Sequence, residues 1–275
     1  MEIRENHFTV EREGTVLACR SFETDTSVAK LPVVFIHGAL VDGTFFERTA
    51  RELARTRLAI VYDRRGCGES SNAADENYDT AAQTLDAAAI IERVGAPCDV
   101  IAHSAGTIIA VELAATRPEL VSRMILHEPP LTGGVAGDSP DLRREVTELV
   151  SAGRYSRAVT RFMLLCGDRD ERAPAATDAE ALHATRNCMT FIRREYLGLV
   201  DHVMPLDAAR GTRITVGVGE LSRGSARWDE ALGCADGLGC PIVYFPGAHN
   251  CARDLPREFA WLCEGILASG DTGAT

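Results

Sequence analysis

The chain changes from an apolar run into a helical one at Ala102-His103-Ser104-Ala105-Gly106. The preceding run 98–104, CDVIAHS, is typical of a buried strand, and AGTIIAVELAATRP at 105–118 is typical of a helix closed by its proline. A serine between them lies on a sharp turn that exposes its hydroxyl at the carboxyl end of a sheet and requires small neighbours. The start of the helix directs free N–H groups and its positive dipole end to the same place. A plainer interpretation is that Ser104 only caps an ordinary helix.

Outward from this turn, predicted strands alternate with predicted helices. Two β-rich runs, HFTVERE and TVLACRSF, open the chain, and further strands are expected at 31–38, 58–63, 121–128, 213–219 and 240–247. Helices are expected at 44–56, 80–95, 226–237 and 256–269. This alternation predicts an α/β fold with a mostly parallel sheet flanked by helices on both faces. It breaks over 131–210, which is helical throughout, so we predict a core domain of 1–130 and 211–275 with 131–210 inserted as a helical cap.

Composition excludes several classes of function. The 275 residues include 29 Lys and Arg against 40 Asp and Glu, a net charge of −11, which argues against nucleic-acid binding. Lys30 is the one lysine, and no apolar run approaches the ~20 residues that a spanning helix needs, so no membrane partner is expected. The N-terminus is charged from residue 2 and has no apolar signal core, which predicts a cytoplasmic protein. The nine cysteines are scattered without zinc-ligand spacing, so we expect no metal and no cofactor.

Four motifs lie at the ends of four of the predicted strands, and their order is informative. They are Phe35-Ile36-His37-Gly38-Ala39, Asp63-Arg64-Arg65-Gly66-Cys67-Gly68-Glu69-Ser70, the turn around Ser104, and Pro246-Gly247-Ala248-His249. In these motifs the chain resembles the α/β-hydrolase superfamily over nearly its whole length. The resemblance implies the α/β-hydrolase fold, with Ser104 as nucleophile and His249 as its base. One departure is Ala102, where the superfamily usually has glycine; alanine is the next smallest residue, so the turn should survive.

The carboxylate that orients the base is the harder assignment. In much of the superfamily it follows the strand after the insertion, and there this chain has Ser222. Glu220 is adjacent and Asp229 is predicted to lie inside the next helix. We favour Glu128, which ends the strand after the nucleophile's own helix; some superfamily branches resemble this and carry their acid there. Since the two strand ends are neighbours in the sheet, a carboxylate at either reaches the same imidazole, and the serine–acid–histidine order is kept. The alternative is that Glu128 only binds loop backbone.

The resemblance also implies an oxyanion hole and a substrate pocket. The backbone N–H groups of Ala39 and Ala105 are its expected donors, so their side chains need only be small. The apolar faces of the cap would supply the pocket, although packing within the cap explains them equally well. The candidate lining residues are Phe162, Met163, Met189 and Tyr196.

A serine nucleophile with a histidine base predicts an acyl-enzyme, and therefore an ester, lactone or thioester of a small, largely apolar molecule as substrate. Relatives that attack an sp³ carbon use an aspartate, because a serine would leave a stable ether, so dehalogenase and epoxide hydrolase activities are not expected. Carbon–carbon bond hydrolysis or lyase chemistry on the same triad stays open. So does a non-catalytic, ligand-binding member of the fold. A homodimer is the default expectation for such a protein.

Overall fold

The computed structural model describes residues 2–25, 30–71, 79–131, 140–166 and 178–269. Eight strands form one sheet in the order β1-β2-β4-β3-β5-β6-β7-β8. The first two pair antiparallel and β2 runs antiparallel to β4, whereas β3 to β8 are mutually parallel. The predicted α/β class with a mostly parallel sheet is confirmed. The strands are β1 (Arg4–Arg12), β2 (Thr15–Glu23), β3 (Val33–Ile36), β4 (Ala59–Tyr62), β5 (Cys98–His103), β6 (Val121–His127), β7 (Arg213–Gly219) and β8 (Ile242–Phe245).

Helices cover both faces because the central strands are apolar on both faces. Successive strand residues point to opposite sides of a sheet. Val34 and Val100 therefore pack in one apolar cluster with α2, α3 and α9, while Phe35 and Ile101 pack in another with α1 and α11. The helices outside the insertion are α1 (Thr44–Leu53), α2 (Thr80–Val94), α3 (Gly106–Thr116), α9 (Ala226–Leu238), α10 (Cys251–Asp254) and α11 (Pro256–Ala268).

Between β6 and β7 the described chain is helical. The helices are α4 (Pro140–Ser151), α5 (Tyr155–Cys166), α6 (Asp178–Thr190), α7 (Tyr196–Val200) and α8 (Leu206–Ala209), with a π-helical turn at Phe191–Glu195. The segments 132–139 and 167–177 of the predicted cap lie outside the described residues. Within the described ranges, none of the helices combines the length and the apolar character needed to cross a bilayer.

Candidate active site

The strand register brings the ends of β3, β5 and β6 to one edge of the sheet. Ala102 of β5 is paired with Ile36 of β3 on one side and with Leu126 of β6 on the other. Since all three strands are parallel, the segments that leave their carboxyl ends start side by side. These segments carry the Gly38 loop, the serine turn and Glu128.

Ser104 lies on a strained turn between β5 and α3. Its φ is +51°, a left-handed conformation that non-glycine residues rarely adopt, and its N–H donates to the His127 carbonyl at 3.0 Å. The surroundings are tight: a Cβ added to Gly106 would lie 2.5 Å from the carbonyl oxygens of Ile36 and His37. Ser104 itself is only half-buried. The turn therefore presents the hydroxyl outward.

His249 and Glu128 form a close pair, since His249 Nδ1 and Glu128 Oε2 are 2.6 Å apart. The His249 side chain is 11% exposed and the Glu128 side chain is 0% exposed. An ionised carboxylate only accepts hydrogen bonds, so Nδ1 carries the proton and Nε2 is left as the acceptor that a general base needs. Burial alone would raise the pKa of Glu128, but the hydrogen bond from His249 and the nearby imidazoles outweigh it and hold that pKa well below its usual range.

The Glu128 carboxylate accepts hydrogen bonds from other groups besides His249. Its φ of +47° turns the chain sharply after β6, and its Oε1 accepts from the Gly219 N–H at 3.0 Å and from Ser222 Oγ at 2.5 Å. Ser222 thus lies at the position where an acid is usual in the superfamily, and its hydroxyl donates to Glu128, the candidate acid of this chain. The alternatives Glu220 and Asp229 are both exposed.

The predicted oxyanion donors lie on either side of the serine turn. Ala105 follows Ser104 directly and precedes the first residue of α3. Ala39 follows Gly38, whose added Cβ would come within 3.0 Å of Ser104 Cβ, so the backbone of this loop touches the serine turn. Leu40, the next residue, has a φ of +66°. The geometry brings both peptide segments to the nucleophile.

Comparison with known proteins agrees with this arrangement. The model of the alpha/beta hydrolase family matches residues 33–260. The chain belongs to the alpha/beta hydrolase family. An uncharacterised hydrolase of Bacillus subtilis, YraK, is 25% identical over 236 residues, which are 83% of this chain and 85% of that one.

Two solved structures extend the comparison. An alpha/beta hydrolase from Sphaerobacter thermophilus is 25% identical with a TM-score of 0.66, covering 92% of this chain and all of the other. An esterase from Thermogutta terrifontis is 18% identical with a TM-score of 0.73, covering 96% of this chain and 98% of its own. The first supports the hydrolase assignment, and the second shows the fold alone.

Of the predicted pocket residues in this hydrolase, two are packing residues. Phe162 and Tyr196 lie in an edge-to-face contact of 5.9 Å between ring centroids, and both contact Phe191. Neither side chain is more than 3% exposed, so they hold the inserted helices together. Met189 is half-buried, and the side chain of Met163 lies outside the described residues.

His103 contacts the backbone of His249, the candidate base, and sequence reasoning missed this contact. Its Nε2 lies 3.0 Å from the His249 carbonyl oxygen, its ring stacks on Phe45 at 4.5 Å, and burial lowers its pKa well below the usual value. A neutral His103 can donate through Nε2 to that carbonyl and so hold the loop that carries His249. A histidine directly before the nucleophile was the available signal.

Cysteine is no rival to Ser104 as nucleophile. Cys67 and Cys251 both lie near the site in sequence, and both are buried. Burial raises the pKa of each thiol, so both stay protonated at neutral pH. Within the described part of the chain, no cluster of three or more His, Cys, Asp or Glu residues could hold a metal ion.

Proposed function

We propose that the protein is a serine hydrolase that cleaves an ester, lactone or thioester of a small, largely apolar molecule. Ser104 is the nucleophile, His249 the general base and Glu128 the acid that orients it. The observation that carries this proposal is the 2.6 Å contact between His249 Nδ1 and a fully buried Glu128 carboxylate. A buried carboxylate bound to a loop histidine, together with a serine on a strained turn at the end of the neighbouring strand, matches the roles of a catalytic triad.

The reaction runs in two halves. Ser104 Oγ attacks the acyl carbon while its proton moves to His249 Nε2, and the resulting oxyanion accepts hydrogen bonds from the N–H groups of Ala39 and Ala105. The bond to the leaving group breaks, and His249 returns the proton to the departing alcohol or thiol. Water then gives a proton to His249 and attacks the acyl-enzyme, which releases the carboxylic acid and restores the Ser104 hydroxyl. Glu128 stays ionised throughout and stabilises the imidazolium.

The substrate class follows from the chemistry of the serine nucleophile. An acyl-enzyme requires an activated acyl carbon, which esters, lactones and thioesters all provide. Proteins of the same fold include the esterase from Thermogutta terrifontis and the thioesterase domain of the curacin biosynthetic pathway (19% identity, TM-score 0.67), so the fold accommodates both ester and thioester substrates. The net charge of −11 disfavours polyanionic substrates through long-range repulsion.

The test is labelling with a fluorophosphonate, read by intact mass, on the wild type and on Ser104→Ala. We expect one adduct per chain on the wild type and none on the variant, because only an activated serine attacks the probe. Hydrolysis of p-nitrophenyl acetate should follow the same pattern. Equal labelling of both proteins, or no labelling and no hydrolysis by the wild type, would overturn the proposal, and the second outcome would favour a non-catalytic, ligand-binding protein.

A further inference from the structure

A buried arginine lies under the oxyanion loop. The Arg64 side chain is 1% exposed, and its Nη2 donates to the Gly38 carbonyl oxygen at 2.9 Å. Its Nη1 and Nη2 also donate to the two carboxylate oxygens of Glu195 at 3.0 and 3.1 Å, and Nη1 donates to Gln83 at 2.9 Å. The guanidinium therefore joins a catalytic loop of the core to a carboxylate in the insertion.

The Gly38 carbonyl belongs to the same peptide unit as the Ala39 N–H. A trans peptide is planar, and its C=O and N–H point in opposite directions. A donor that fixes the Gly38 oxygen therefore also fixes the direction of the Ala39 N–H. Hydrogen bonding to the oxygen also polarises the peptide and makes its N–H a better donor.

His37 is the second donor to the same oxygen. Its Nδ1 lies 2.9 Å from the Gly38 oxygen, while its Nε2 accepts the backbone N–H of Arg64 at 2.9 Å. This pair of contacts assigns the proton to Nδ1. Burial and the charge of Arg64 lower the pKa of His37 to about 3, so it remains neutral. One neutral and one charged donor therefore hold the peptide.

Glu195 comes from the insertion and is well anchored. It ends the π-helical turn Phe191–Glu195, and its side chain is 2% exposed. The preceding helix α6 is bonded to the core loop after β4: Arg186 donates to the Gly68 and Ser70 carbonyls, and Thr190 donates to the Gly66 carbonyl. These bonds fix where the π-helical turn, and with it Glu195, meets Arg64.

We infer that Arg64 and Glu195 are positioning residues for the oxyanion hole: Arg64 aims the Ala39 N–H by holding the Gly38 oxygen, and Glu195 holds Arg64. The direction of the Ala39 N–H therefore depends on how the insertion packs on the core. The inference rests on the proposed function. A stabilising role alone explains the pair poorly, because a buried ion pair is often no more stabilising than a packed apolar pair of similar volume.

The test replaces the whole pair with apolar residues. Arg64→Met/Glu195→Leu removes both charges together, so neither is left buried without its partner. The matched control is Arg65→Met/Asp86→Leu, because Arg65 binds Asp86 through Nε and Nη2 at 2.7 and 2.9 Å in a buried pair that ties the loop after β4 to α2. Both variants and the wild type are assayed with p-nitrophenyl acetate and with its thiono analogue, whose sulfur is a weak hydrogen-bond acceptor.

For the Arg64/Glu195 variant we expect kcat on the acetate to fall about tenfold to a hundredfold with little change in KM. This is below the ~10²–10³ loss for removing a donor outright, because the Ala39 N–H is still present. The preference for the oxo ester over the thiono ester should shrink, which a purely structural role would not cause. The Arg65/Asp86 control should keep that preference.

Three outcomes separate the claims. An active wild type whose Arg64/Glu195 variant keeps both its kcat and its oxo preference overturns the inference and leaves the proposed function standing. A wild type that neither hydrolyses the ester nor reacts with fluorophosphonate overturns the proposed function and the inference with it. Should the double variant fail to fold, Glu195→Gln decides. It keeps the shape of Glu195 but sets an NH₂ group against one of the two Arg64 N–H groups that the carboxylate binds, so Arg64 loses its fixed orientation. An unchanged kcat and oxo preference there would equally overturn the inference.

Discussion

We expect Glu128→Gln to lower kcat far more than the loss of one charge suggests, because the two oxygens of the carboxylate accept hydrogen bonds from two different sides. Glu128 Oε1 accepts from the Gly219 N–H and Ser222 Oγ, and Oε2 accepts from His249. A glutamine has one oxygen and one NH₂ for these two sides. The Gly219 N–H is a fixed donor, so it keeps the amide oxygen on its own side.

The amide NH₂ then faces His249 Nδ1. That nitrogen must become an acceptor, so the ring proton moves to Nε2, where it blocks uptake of the Ser104 proton. The equivalent substitution in serine proteases, which forces the wrong tautomer, lowers kcat by ~10⁴. At about 1.4 kcal/mol per factor of ten, this corresponds to roughly 5 kcal/mol of transition-state stabilisation.

The assay is the rate of p-nitrophenyl acetate hydrolysis at saturation, with thermal unfolding as a check on the fold. Glu220→Gln is the matched control, because Glu220 is the exposed alternative acid directly after β7 and the substitution makes the same chemical change. It should leave kcat within a factor of about two. The Nδ1 proton resonance of His249 should be lost in Glu128→Gln alone. A large loss in Glu220→Gln with Glu128→Gln near wild type would refute the assignment of the acid.

Two further predictions concern stability. The pKa values of His37 and His127 are lowered by burial to about 3 and about 4, and burial also lowers the pKa of His103 well below its usual value. All three are therefore neutral in the folded protein at neutral pH and protonate near pH 6.5 in the unfolded chain. Since unfolding then takes up as many as three protons, the free energy of unfolding should be highest above about pH 7 and should fall below it by up to about 4 kcal/mol per pH unit. A Tm that stays flat from pH 7 to 4.5 would contradict this. Gly106→Ala should destabilise the fold strongly, because the added Cβ would lie 2.5 Å from two backbone oxygens. Gly265→Ala has no other atom within 4 Å of the added Cβ and should stabilise the fold by about 0.5–1 kcal/mol. Denaturant titration of both variants measures the difference in their free energies of unfolding.

The sequence was sufficient for the features that local pattern and strand adjacency determine. Apolar runs alternating with helices predicted the parallel sheet, and the neighbouring ends of β5 and β6 predicted that Glu128 could reach the imidazole of His249. The structure brings those two residues together. It also shows that Phe162 and Tyr196, whose apolar faces are equally consistent with pocket lining and with packing inside the cap, pack against each other.

Pairings between distant polar residues were not accessible from one sequence. Arg64 and Glu195 are 131 positions apart, and nothing local marks them as partners. A signal did exist: Glu195 shares a helical face with the buried Ile192 and Leu199, and a charge on such a face needs a buried partner. The sequence identifies Ser222 only as a position where the usual acid is absent, although a hydroxyl beside a strand end can equally donate to a neighbouring carboxylate.

Backbone strain marks the site independently of the triad contacts. Among the described residues, the non-glycine positions with left-handed φ are Glu13 in a hairpin turn and Leu40, Ser104 and Glu128 around the site. Each such residue costs about 1–3 kcal/mol, which persists only where the surroundings hold it. For Ser104 the restraint is its bond to the His127 carbonyl, and for Glu128 it is the bond from its N–H to the Gly217 carbonyl at 2.8 Å, together with its side-chain partners. Ser104 and Glu128, the nucleophile and the acid of the proposed triad, are thus each strained on a strand end and each fixed by the next strand in the sheet. An acid at the end of β6 therefore has a support of the same kind as the one that holds the proposed nucleophile at the end of β5.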